Sequence, residues 1–68
     1  MALSRVKQER LERLKNRLNL YYEAEEAVLL NQEYVIGTKS LKRADLSTIR
    51  ATIKDIEKQV EQLEAGGR

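Results

Sequence analysis

Between Leu46 and Leu63, six branched apolar residues (Leu46, Ile49, Ile53, Ile56, Val60 and Leu63) fall at alternating spacings of three and four, and everything between them is polar, charged or Ala. This is the a/d repeat that gathers apolar side chains on one seam of a helix. At about 1.5 Å per residue the seam runs for roughly 26 Å, too long to be left in water. The chain carries its own match. Leu11, Leu14, Leu18, Tyr21 and Val28 repeat the spacing over an equal length, with Glu25 in the one beat where an apolar residue is due. The stretch between the seams, Asn31 to Leu41, reads as a turn. Two equal seams on a short connector predict an antiparallel helical hairpin.

At 68 residues the chain has room for one small domain. The first helix offers Leu11, Leu14, Leu18, Tyr21, Tyr22, Val28 and Leu29 to a core, the second its six seam residues, and the connector three more. Burial at about 1.5–3 kcal/mol each roughly offsets the entropy of ordering so short a chain, so docking or self-association is expected to support it. With neither Cys nor His, disulfides, thiolate metal sites and imidazole chemistry are excluded, and no carboxylate cluster has the pattern of a calcium loop. No pairing of nucleophile, base and acid points to catalysis, and neither a cofactor nor a small-molecule substrate is expected. The apolar runs are too short to span a membrane, and the basic start lacks the apolar region of a signal peptide, which predicts an intracellular protein.

The net charge of +2 conceals a blockwise pattern. Residues 1–20 carry six Lys/Arg against two Glu, residues 21–36 four Glu and no base, and residues 37–51 four bases against Asp45. Blocks of this kind mark either a partner surface or an ordinary solvated exterior.

Along the chain, residues 1–10 read as a mobile basic helical arm in which Ser4 is a candidate N-cap without the Glu or Gln of a capping box. The first helix covers 11–30. Arg10, Arg13, Arg17, Leu20, Ala24 and Ala27 fall on a lateral line off the core seam, and they form the principal candidate partner-binding stripe, suited to packing on another subunit while the guanidinium groups meet an acidic or phosphate surface. Tyr21 and Tyr22 flank the seam. Glu25 faces the edge of the core and needs a partner, for which Lys39, Lys42, Arg43 or the start of the second helix are candidates. Asn31 stands just past the helix end, where a left-handed residue is common. Residues 33–41 form a β-hairpin: Gly37 leads a two-residue type II′ turn, which pairs Ile36 with Lys39, Val35 with Ser40 and Tyr34 with Leu41. Tyr34, Ile36 and Leu41 then share the face that lies on the helices. Ser40 or Lys42 precedes the second helix, 43–64, and Asp45 sits in its first turn. Arg50, Lys54 and Lys58 line its exterior, interrupted by Glu57 and Glu61. Gly66 is placed to end it, in a tail of 65–68. The fold class expected is mainly α (α+β), two long antiparallel helices joined by a short two-stranded hairpin.

The segment Ala24 to Ile49 carries an ordered set of features: the Ala24-Glu25 pair, the aromatic-x-Ile-Gly run Tyr34 to Gly37, the Ser40-Leu41 pair, and Arg43-Ala44-Asp45-Leu46 opening an amphipathic helix. In this it resembles a family of small prophage proteins that belong with, or close to, the gpW-like head-completion (head-to-tail joining) proteins of tailed bacteriophages. Gly is usual in that family where Asn31 stands, and both serve the same cap. Thr or Ser is usual where Lys42 stands, so the second helix lacks its side-chain cap unless Ser40 replaces it. The resemblance implies a non-enzymatic protein that assembles on the portal vertex after DNA packaging and presents a surface to the next connector or tail protein. It implies portal, connector or tail proteins as partners, oligomerisation on assembly, packaged DNA as a further candidate contact, and residence in the bacterial host cytoplasm and then in the virion. Lys39, Lys42 and Arg43 at the hairpin are a secondary candidate surface. The alternative is a helical-hairpin adaptor or regulator that dimerises into a bundle and meets nucleic acid through its basic first helix.

Overall fold

Ser4 starts the first helix: its Oγ accepts the N–H of Lys7 at 3.2 Å, which satisfies one of the backbone donors that every helix N-terminus leaves open. From there α1 runs unbroken over Arg5–Leu29 in a computed structural model that describes residues 4–65. Residues 5–10 of the expected helical arm are the first turns of α1 itself, and its residues 1–3 lie outside the described part. The expected tail resolves differently, with Ala65 inside the second helix and residues 66–68 outside the described part.

The helix ends as the sequence predicts. Leu30 is the C-cap and Asn31 takes φ 60°, the left-handed conformation that Asn tolerates better than most residues. Gln32 N–H then reaches Ala27 O at 2.9 Å and Asn31 N–H reaches Val28 O at 3.0 Å, the paired bonds of a Schellman motif. Reversed by this cap, the chain enters β1 (Tyr34–Ile36) and β2 (Lys39–Leu41), paired antiparallel in the register Tyr34 with Leu41, Val35 with Ser40 and Ile36 with Lys39. Gly37 has φ 62° and Thr38 does not share the positive sign, as a type II′ turn requires.

The second helix opens with a 3₁₀ turn, Arg43–Asp45, before α2 (Leu46–Ala65). Lys42 has no acceptor in its side chain, and the Ser40 hydroxyl turns to Glu33 instead of the helix. The substitute is Asp45, whose Oδ2 takes the Lys42 N–H at 3.0 Å and puts a negative charge at the positive end of the helix.

The core is one cluster: Tyr21, Ala24 and Val28 from α1, Leu41 from β2, and Ile49, Ile53 and Ile56 from α2. Leu14, Leu18, Leu46 and Val60 pack at its edge together with Tyr34 and Ile36. Two of the expected core residues stay outside, since Tyr22 and Leu29 are exposed beside the seam. Burial is complete only at the hairpin end, where three elements meet, while toward the other end Leu11, Leu14, Val60 and Leu63 are half-buried because two helices alone cannot enclose a seam. The molecule is a rod, 44 × 19 × 15 Å.

A basic stripe beside an open groove

The two long edges of the helix pair differ. Along one edge three polar contacts cross from α1 to α2: Lys15 Nζ to Glu64 at 3.0 Å, the Tyr22 hydroxyl donating to Glu57, and Arg50 Nε donating to Glu25 at 2.8 Å. Lys15 and Tyr22 are one heptad apart, as are Glu64 and Glu57, and Glu57 and Arg50, so the same face of each helix is repeatedly presented to the other. This ladder answers the question raised by Glu25. Its carboxylate is clasped by the second turn of α2 and not by the hairpin cations. The Tyr22 phenol is held above its usual pKa of 10.0, first by its hydrogen bond to the Glu57 carboxylate and then by desolvation and the charges of Glu57 and Glu25.

On the opposite edge the hairpin occupies one end. Tyr34 donates its hydroxyl to Glu23 at 2.7 Å, a bond that raises the phenol pKa, and this brings β1 down beside α1. Here the sequence-derived stripe has to be divided. Ala24 is fully buried in the core cluster and so is closed to a partner, whereas Ala27 is half-buried. The a/d pattern placed residue 24 off the core because it gave the seam beat to Glu25, whereas Ala24 takes the buried position.

The remainder of the line is free. Arg10, Arg13 and Arg17 are exposed, Leu20 is 40% exposed, and among the described residues none of the three guanidinium groups has a hydrogen bond or an ion pair. Val6, 70% exposed, extends the line by one further four-residue step, a member that sequence reasoning left in the arm although its spacing from Arg10 already marked it. The stripe therefore reads Val6, Arg10, Arg13, Arg17, Leu20, with cations in the middle and an apolar residue at each end. Beside it lies an open groove of about 470 Å3 lined by Arg10, Leu14, Gln59, Gln62 and Leu63, where no polar ladder closes the gap between the helices.

The secondary surface fares less well. Arg43 Nη1 donates to the Leu29 carbonyl and to Asn31 Oδ1, both at a long 3.4 Å, and so brings positive charge to the C-terminus of α1, whose last turn contains no base. Its side chain stays exposed while making these contacts. Lys39 and Lys42 remain exposed, Lys42 at the rim of a shallow hollow shared with Glu33 and Asn31. Within the acidic block of residues 21–36, Glu25 is met by Arg50 from the basic block that follows it, while Glu23 and Glu33 accept the hydroxyls of Tyr34 and Ser40. The three stripe arginines are among the cations left without an internal counterpart among the described residues.

Among the described residues there is no group of three or more acidic side chains placed to hold a metal ion, and no helix is long and apolar enough to cross a membrane. Neither a curated protein nor a solved structure matches the chain. The match that exists spans it from residue 1 to residue 68, and by it the chain belongs to a family of unknown function, DUF6148.

Proposed function

We propose that this is a non-enzymatic virion assembly protein of a tailed bacteriophage or prophage, acting at head completion or head-to-tail joining on the portal vertex. The observation that carries the reading is the row Arg10, Arg13, Arg17, three guanidinium groups with no partner among the described residues, displayed on the unsealed edge of a rigid helix pair. Exposed arginines in register offer fork-shaped donors to carboxylate or phosphate and suit a docking surface better than a reaction centre. The helix, β-hairpin, helix order fits the resemblance of residues 24–49 to gpW-like head-completion proteins. On this reading the partners are portal, connector or tail proteins, the protein oligomerises on the particle, and it passes from the host cytoplasm into the virion.

The test is complementation of a head-completion defect by the variant Arg10→Glu/Arg13→Glu/Arg17→Glu. These charges are exposed and unpaired, so the variant should fold and melt like the parent. It should fail to complete heads and should no longer cosediment with portal-bearing particles, because like charges would now face the partner. Full complementation by the folded variant would overturn the assignment of this stripe. A coding sequence found apart from portal, terminase and capsid genes would favour the helical-hairpin adaptor instead.

A further inference from the structure

We infer that the stripe and its groove receive an acidic amphipathic helix from a partner protein, which lies beside α1 as a third helix and continues the layer begun by the β-hairpin. The inference rests on the docking role proposed above and specifies the chemistry of what docks.

Three observations converge on this occupant. The first is the incomplete layer: on this edge the hairpin lies against α1 at one end, where Tyr34 reaches Glu23, whereas at the other end Leu14 and Leu63 are only half-buried beneath an open groove. A helix is the element that fits into the trough between two helices, with its side chains entering as anchors at three- and four-residue spacing. The second is the order of the stripe itself. Arg10 to Arg17 spans seven residues, about 10 Å of helix, so carboxylates at positions i, i+3 or i+4, and i+7 of a partner helix would meet all three cations, while apolar residues one turn further out in each direction would meet Val6 and Leu20. The third is the charge of the groove wall. Arg10 is its charged residue and Leu14, Gln59, Gln62 and Leu63 are neutral, so a second copy docked by the same edge about a two-fold axis would bring arginine to arginine, which opposes self-pairing here. A nucleic-acid backbone satisfies the arginines but leaves the apolar floor and the flanking Val6 and Leu20 with nothing to cover them.

The probe is a fluorescent three-heptad helical peptide with Leu at a and d and Glu at b and e, which gives the three- and four-residue carboxylate spacing. It is compared with a peptide of the same composition in scrambled order and with a short DNA duplex, and binding to the full chain is read by anisotropy. The expected result is saturable binding of one amphipathic peptide per chain, at least tenfold tighter than the scrambled peptide. That binding should fall at least tenfold in Arg10→Glu/Arg13→Glu/Arg17→Glu and in Gln62→Trp, an exposed substitution that fills the groove without changing charge. Circular dichroism establishes that each variant is folded. If Gln62→Trp is itself misfolded, Gln59→Trp serves as the groove-filling variant. Equal binding of ordered and scrambled peptides, insensitivity to the groove-filling variant, or tighter binding of DNA than of the ordered peptide would each overturn the inference. The head-completion reading is scored separately by complementation: a triple-arginine variant that fails to complete heads while the parent ignores the peptide would sink the helix proposal and leave the assembly role standing.

Discussion

Arg50 Nε meets the Glu25 carboxylate at 2.8 Å across the helix pair, at the beat of the α1 seam where the heptad pattern demands an apolar residue and the chain places an acid. The seam is not broken there, because Ala24 takes the buried position and Glu25 moves to the rim, with 28% of its side chain exposed against 55% for Arg50. A half-exposed pair of this kind contributes little alone, about 0.2–1 kcal/mol. A double-mutant cycle on Glu25→Ala and Arg50→Ala, measured by urea unfolding, should return a coupling energy in that range that shrinks at high salt. A coupling near zero at low salt would make the contact incidental.

Ala24 provides a stronger test of the packing. Its side chain is fully buried, and its neighbour Glu23 holds the Tyr34 hydroxyl of the hairpin. Ala24→Leu should therefore strain the closed core and cost about 1–3 kcal/mol, the usual penalty of overpacking. Leu20→Ala, one turn earlier and exposed, should cost much less. Were Ala24→Leu neutral while Leu20→Ala destabilised the fold, the division of the stripe into a packed end and a free end would have to be reversed.

The architecture was legible in the sequence because each signal acts locally. The period of apolar residues gives the helices, Asn31 and Gly37 give the two chain reversals, and pairing outward from Gly37 gives the register. Nothing in a two-helix pattern says that Ala24 will take the buried position due to Glu25, or that Arg43 will turn back to the Leu29 carbonyl. Tyr22 escaped that pattern as well. As an apolar ring beside the seam it looks like core, yet its hydroxyl finds Glu57 only at the rim, and the ring follows its polar end outward. The arginines were legible as a line, and their lack of partners emerged only from where the fold places the acidic side chains.

Gly37 isolates the contribution of the turn. A Cβ built at this position would meet nothing within 4 Å, so a substitution there is penalised by backbone conformation alone, at φ 62°. Gly37→Val should cost about 1–3 kcal/mol through the poor tolerance of a β-branched residue for positive φ, and Gly37→Asn distinctly less. Both variants should keep most of their helical circular dichroism, since the seams do not pass through the turn. A Val variant as stable as the parent would mean that the turn adopts another geometry in solution.

The last prediction concerns alkaline stability, through Tyr22. Its folded pKa lies above the ordinary 10.0, chiefly because the protonated phenol donates to Glu57. Below pH 10 the phenol is protonated in both folded and unfolded chains, and the hydrogen bond contributes in full. Between the ordinary and the raised value the unfolded chain releases the proton that the folded chain retains, so the unfolded state binds fewer protons and stability falls as pH rises. Once pH passes the folded pKa the phenolate faces the Glu57 carboxylate and the contribution is gone. Urea unfolding from pH 8 to pH 11 should show the parent losing stability above about pH 10 more steeply than Tyr22→Phe, with the two curves converging at the alkaline end. The comparison cancels the titration of the lysines, which both chains share. Parallel curves for parent and variant would mean that the Tyr22 to Glu57 contact does not persist in solution, and the sealed edge would then rest on Lys15 with Glu64 and Glu25 with Arg50.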